Sequence, residues 1–233
     1  MMRSSEGSGV LAGFGARRCW MGMRRTQTTI VFCLAALVIL TGCMGRVRRP
    51  NYYILNMPAP SGPPAAEKAH ATLAIRQFRA AAYLRQGAIV YKTSPEQIGF
   101  YAYHRWAMDP RDFVTNSIAE HLRTGGAFAH LKPYDGSRDA DYVLSGRLEK
   151  LEELDSQDGV KVQVAISAEI TSIATGKTVW SNAVSETEDV DKHEVPAVVS
   201  EMNRAMQRAI EKLVTPLSAG WAAGTLGAQG DRR

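Results

Sequence analysis

Apolar positions along this chain recur with two periods, and the period decides the element. Val160, Val162, Val164, Ile166, Ala168 and Ile170 alternate with mostly polar neighbours. This alternation predicts a strand over 160–173 with one buried and one wet face. Asp141 to Leu154 and Thr178 to about Glu186 flank it through Asp158-Gly159 and Thr175-Gly176, dipeptides that favour hairpin turns. Thr72 to Phe78, Ala88 to Tyr91, Gln97 to Tyr103 and Phe128 to Pro133 read as further strands, rich in aromatic and β-branched residues.

The helical period appears twice. Phe113, Ser117, Ile118, His121 and Leu122 share one face of a helix that Asp109 can cap, with Pro110 at its first position and Gly125-Gly126 at its close. From Pro196 onward Val198, Val199, Met202, Ala205, Met206, Ala209, Ile210, Leu213 and Val214 follow helical spacing, and Pro216 is expected to end that helix. The methionines in it read as core filler. Together these elements predict an α+β fold, a mainly antiparallel sheet packed on two helices in two layers.

One apolar run follows neither period. Thr28 to Leu40 carries no charge, Arg24-Arg25 precedes it, and Leu40-Thr41-Gly42-Cys43 follows. A basic start and a short apolar stretch make a secretory signal peptide. The run falls short of the roughly 20 residues of a spanning helix, which disfavours a transmembrane anchor. Leu40 to Cys43 resembles a lipobox, whose small residues admit the signal peptidase and whose cysteine sulfur receives a diacylglycerol. Cys43 is the expected lipidation site. Arg24-Arg25 also raises a twin-arginine route, but the apolar residues that usually follow such a pair are missing, which favours Sec export. Met21 or Met23 is the expected true start, since residues 1–20 are long and Gly-rich for a signal.

The expected organisation is a signal over 1–42, a lipidated tether and Pro-rich linker over 43–70, a domain over 71–217 and a flexible tail over 218–233. Tyr52 to Leu55 is apolar enough for an early strand, and Pro58, Pro60, Pro63 and Pro64 mark the linker. The polar stretch from Met44 to Asn51 spans about 25 Å when extended, which would hold the domain close to a bilayer.

Signal removal changes the charge picture. The chain has a formal net charge of +5, but residues 1–42 hold five Arg against one Glu, so the remainder carries +1. Arg46, Arg48 and Arg49 sit beside the anchor, where they would attract anionic headgroups. No clustered basic face suggests a nucleic-acid partner. Cys19 and Cys33 leave with the signal, so the mature domain has no disulfide and no thiolate metal site.

Searching for catalytic patterns gives no nucleophile elbow, no H-E-x-x-H and no phosphate-cradling glycine loop. His70, His104, His121, His130 and His193 are scattered without ligand spacing. Glu149, Glu152, Glu153 and Asp155 cluster before a turn, where they read as a solvated edge more readily than as a calcium site. The expectation is therefore no catalytic residue, no cofactor and no metal. Tyr101-Ala102-Tyr103-His104-Arg105-Trp106 reads as a core corner or, more sharply, as a partner-binding surface of Tyr101, Tyr103 and Trp106, because such residues are enriched in interfaces.

In order and spacing these residues resemble the PqiC-like family of ABC-type transport auxiliary lipoproteins. The resemblance is carried by Tyr52-Tyr53-x-Leu55, Arg76-x-Phe78, Ile89-Val90-Tyr91-Lys92 and Tyr101-x-Tyr103-x-x-Trp106 with Pro110 after it. Gly126-x-Phe128 and Ala140-Asp141-Tyr142-Val143-Leu144-x-Gly146 complete it. It implies a lipid-anchored, non-enzymatic component, facing the periplasm from the outer membrane. Its implied partners are an MCE-family periplasmic protein and an ABC permease and ATPase that move lipid or other hydrophobic cargo. Met44 after Cys43 is not the Asp that often retains lipoproteins in the inner membrane. A structural or activating role in an envelope assembly machine, for lipopolysaccharide insertion or cell-wall synthesis, is the alternative. Homo-oligomer formation stays open, as does lipid carriage within the domain, which would need a cavity.

Overall fold

The computed structural model describes residues 48–58, 69–157 and 159–222. They run β1 (Asn51–Tyr53), β2 (Ala69–Ile75), β3 (Arg79–Ala80), a 3₁₀ turn (Ala82–Gln86), β4 (Ala88–Ser94) and β5 (Gln97–Trp106). Then come α1 (Pro110–Gly125), β6 (Phe128–Pro133), β7 (Tyr142–Ser156), β8 (Gly159–Ser172), β9 (Thr178–Asp189) and α2 (Val195–Ala222). The signal segment, Cys43, Pro60, Pro63 and Pro64 lie outside the described residues.

β7 is the spine of one mixed sheet. β8 lies antiparallel along one edge, from Tyr142↔Ser172 to Ser156↔Gly159, and β9 continues the meander outside β8. The other edge of β7 is shared in sequence by three parallel strands: β2 at Ile75↔Leu144, β3 at Arg79↔Arg147 and β4 at Tyr91↔Glu153. β6 extends the sheet from β2, while β5 and then β1 extend it from β4.

This corrects the expectation of a mainly antiparallel sheet. Among the described strands five pairings are parallel and three are antiparallel. The antiparallel neighbours are joined by short turns that leave a local signature. Parallel neighbours need long crossovers and leave none.

Both helices match their punctuation at the start. The Asp109 side chain accepts the Arg111 backbone N–H at 2.9 Å, Pro110 begins α1, and Gly126 closes it in a left-handed conformation. Burial raises the Asp109 carboxyl pKa, but the hydrogen bonds from the Arg111 side chain and backbone outweigh that and hold it below the usual carboxylate range. The expected end of the second helix at Pro216 is also corrected, since α2 continues to Ala222. Proline removes one hydrogen bond, yet Leu217 and Trp221 beyond it are buried, and Trp221 packs on Phe128 and Tyr142 with ring centroids 4.7 and 4.8 Å apart. Packing of that apolar face outweighs the local break.

The core lies between the helices and one face of the sheet, where Val162, Val164, Ile166, Ala168 and Ile170 of β8 meet Met202, Met206 and Ile210 of α2. Phe78 lies over Gly146, where any Cβ would overlap its ring. A register shift follows between Leu148 and Lys150. That bulge adds one residue to β7 and reverses which alternate positions face the helices. Before it Leu144 and Leu148 point inward; after it Leu151 and Glu153 do.

Candidate functional site

The reversed phase places two carboxylates where a regular strand would not. Glu152 is 1% exposed and Glu153 is 0% exposed, which overturns the expectation of a solvated edge there. Being adjacent on a strand, they point to opposite faces. On the outer face Glu152 meets Lys92 Nζ at 3.5 Å and accepts the Tyr83 hydroxyl at 3.3 Å. Burial, reinforced by the Glu152 charge, pushes the Tyr83 phenol up to about 12.

Toward the helix face, Glu153 Oε2 accepts the Tyr101 hydroxyl at 2.8 Å. Burial and that hydrogen bond raise the Tyr101 pKa, so the phenol stays a donor. Burial also raises the Glu153 pKa, although Tyr101 and His193 act in the other direction. His193 Nε2 lies 3.2 Å from Glu153 Oε1 and 3.8 Å from Asp155 Oδ2. Among the described residues these three are the group whose ligand atoms converge, all within 4.8 Å of one another.

Aromatic rings surround the pair. Tyr91 lies directly opposite Gly99, and its ring occupies the space a Cβ at Gly99 would need. Tyr91 and Tyr101 lie 5.0 Å apart, Tyr101 and His104 5.8 Å, and His104 stacks on Tyr53 at 5.7 Å while facing its hydroxyl at 2.9 Å.

The three residues singled out from sequence therefore have different places. Tyr101 is half-buried and tied to Glu153. Trp106 is 7% exposed, inside the core, with its backbone N–H donating to the Gly87 carbonyl at 2.8 Å. Tyr103 is 44% exposed, and the large apolar side chains Tyr52 (63%), Ile54 (64%), Ile98, Phe100 and Met108 are exposed too. These residues come from β1, β5 and the segments just after them, at the edge of the sheet. The sequence reading named Glu152, Glu153 and His193 but missed the burial of the two glutamates and the approach of the histidine, because the bulge carries no clear local signal and His193 is far from β7 along the chain.

The wet face of the sheet has an open trough of about 610 Å³, lined by Arg79, Arg147, Glu149, Ser167, Ser181 and Asn182 among others. Glu149 is occupied within it, accepting Arg147 Nε and the Ser167 hydroxyl, each at 2.9 Å. Gly146, Ala168 and Ala183 also line it, so the lining is mixed polar and apolar. No helix among the described residues is long and apolar enough to cross a membrane.

The class defined by these features is a one-sheet α+β module that offers an apolar edge and an aromatic–acid cluster. The chain belongs to the family of ABC-type transport auxiliary lipoprotein components, whose model matches residues 53–214. That membership associates it with the cell envelope and with an ABC transport system. No curated protein matches the sequence. Among solved structures, a Xanthomonas campestris protein of the DUF330 family is similar at 16% identity and a TM-score of 0.65, covering 75% of this chain and 99% of its own. A second crystal structure, of an uncharacterized protein, is similar at 14% identity and a TM-score of 0.56, covering 73% and 99%. At these identities the likeness shows the fold.

Proposed function

We propose that the chain is a non-enzymatic auxiliary lipoprotein of an MCE-type ABC transport system, anchored through Cys43 and supporting movement of lipid or other hydrophobic cargo between the two membranes. The family match over 53–214 carries this reading. The exposed apolar side chains Tyr52, Ile54 and Tyr103 at the sheet edge support it, since Tyr52 and Ile54 come directly after the polar stretch 44–51 in the sequence. In this reading that edge docks an MCE-family protein, with the permease and ATPase supplying energy from the inner membrane. Trp106 supports the edge from inside the core, and its truncation should act through the fold. The domain faces the periplasm from the outer membrane.

The test is mild crosslinking of the tagged chain in native membranes, followed by mass spectrometry of what co-purifies. An MCE protein with its permease and ATPase is the expected result. Recovery of an outer-membrane assembly machine or a cell-wall synthase in their place would overturn the reading. Replacing Cys43 by Ala should release the mature chain into soluble fractions, and continued tight membrane retention would remove the lipid anchor from the proposal.

A further inference from the structure

We propose that Glu153, Asp155 and His193 form a binding site for a divalent transition-metal ion of the zinc class. Glu153 and Asp155 are two residues apart on β7, so their side chains leave the same face of the strand. The fold brings His193 to them. β8 returns along β7 with Val160 opposite Asp155. The Val190 backbone N–H donates to the Val160 carbonyl at 2.9 Å, which carries the connection between β9 and α2 across the end of the hairpin.

The two separations from the imidazole are close to those around one ion, and all three donor atoms lie within 4.8 Å of one another. Bonds of about 2.0–2.2 Å to nitrogen and carboxylate oxygen put tetrahedral donor atoms about 3.3–3.6 Å apart. His193 Nε2 stands 3.2 Å from Glu153 Oε1 and 3.8 Å from Asp155 Oδ2. His193 and Asp155 are partly exposed, 54% and 35% accessible, so their side chains have room to adjust around an ion.

An independent observation points to a ligand. Glu153 is fully buried, and its Oε1 has no hydrogen-bond partner, although His193 Nε2 is near it. Buried carboxylate oxygens are normally satisfied, and leaving one without a partner is costly. Glu152 Oε1 also lacks a hydrogen bond but has the Lys92 ammonium 3.5 Å away, whereas Glu153 Oε1 is aimed at His193 and Asp155. Oε2 is already held by the Tyr101 hydroxyl, an outer partner of the kind that orients a metal-binding carboxylate. The imidazole nitrogen favours zinc-like ions, whereas calcium takes six to eight oxygens. Three protein ligands leave a fourth position open to solvent. A bound ion would join the end of β7 to the connection that starts α2.

The test uses the full-length chain, purified in detergent, stripped with EDTA and titrated with Zn²⁺ while bound metal is counted by mass spectrometry. The parent should hold one ion more per chain than His193→Ala. Asp155→Asn should weaken that ion's binding about 100-fold, and Tyr101→Phe about 10-fold. Circular dichroism checks that each variant is folded, and His193→Gln gives a second, gentler removal of the nitrogen. Equal stoichiometry and affinity in the parent and both His193 variants would overturn the proposal. So would equal competition by Ca²⁺, or no saturable binding by the parent.

Discussion

At its start β7 sets Gly146 beneath the Phe78 ring and buries Leu144 and Leu148 in the same core as Phe128 and Trp221, with scarcely a polar side chain inside. At its finish the same strand buries Glu152 and Glu153 among tyrosines, a lysine and a histidine. The first arrangement is what stability alone favours. Burying a carboxylate carries a desolvation penalty of several kcal/mol, which a hydrogen bond and a partial ion pair offset incompletely. A strand that packs apolar groups at one end and acids at the other is therefore specialised at the acidic end, which β5 and β1 reach through Tyr101, His104 and Tyr53.

The strongest way to test that contrast is at the apolar end. Phe78→Ala should destabilise the domain by about 3–5 kcal/mol, read as a shift in denaturant midpoint. Gly146→Ala should cost about 1–3 kcal/mol by overpacking, but little when Phe78 is already Ala, because the added methyl then occupies the space the ring left. This coupling is a double-mutant cycle. Additive effects of the two changes would mean that Gly146 is required for some other reason.

At the acidic end the expected effect is smaller. Glu153→Gln keeps an oxygen for the Tyr101 hydroxyl and removes the buried charge. Measured with EDTA present, stability should change by no more than about 1 kcal/mol, in either direction. A loss above about 3 kcal/mol would show that the carboxylate is itself a structural requirement, and the two ends would no longer differ in kind.

The difference between the ends also tracks what could be read from the sequence. The β7–β8–β9 meander and α1 were legible, because alternation, Asp158-Gly159, Asp109-Pro110 and Gly126 are local signals. The partners of β7 on its other edge were not, since β2, β3 and β4 reach it through crossovers that no turn residue marks. The bulge after Leu148 hid the burial of Glu153 by shifting the strand's phase, and the approach of His193 depends on the whole meander. Pro216 misled for a related reason: a local breaker is overridden when Leu217 and Trp221 beyond it have a core to enter. Of the docking residues singled out, Tyr103 is on the surface while Trp106 is inside, a distinction that residue type cannot make.

The smallest effect on stability is expected at the apolar edge itself. Tyr52→Ser and Ile54→Ser remove side chains that are 63% and 64% exposed, and surface changes of this kind normally stay within about 0.5 kcal/mol. If the edge docks a partner, the same pair should lower recovery of the crosslinked transport proteins while thermal unfolding is unchanged. Full recovery with unchanged stability would leave the docking face elsewhere. A large loss of stability would assign Tyr52 and Ile54 to holding β1 against β5, making this edge an extension of the core.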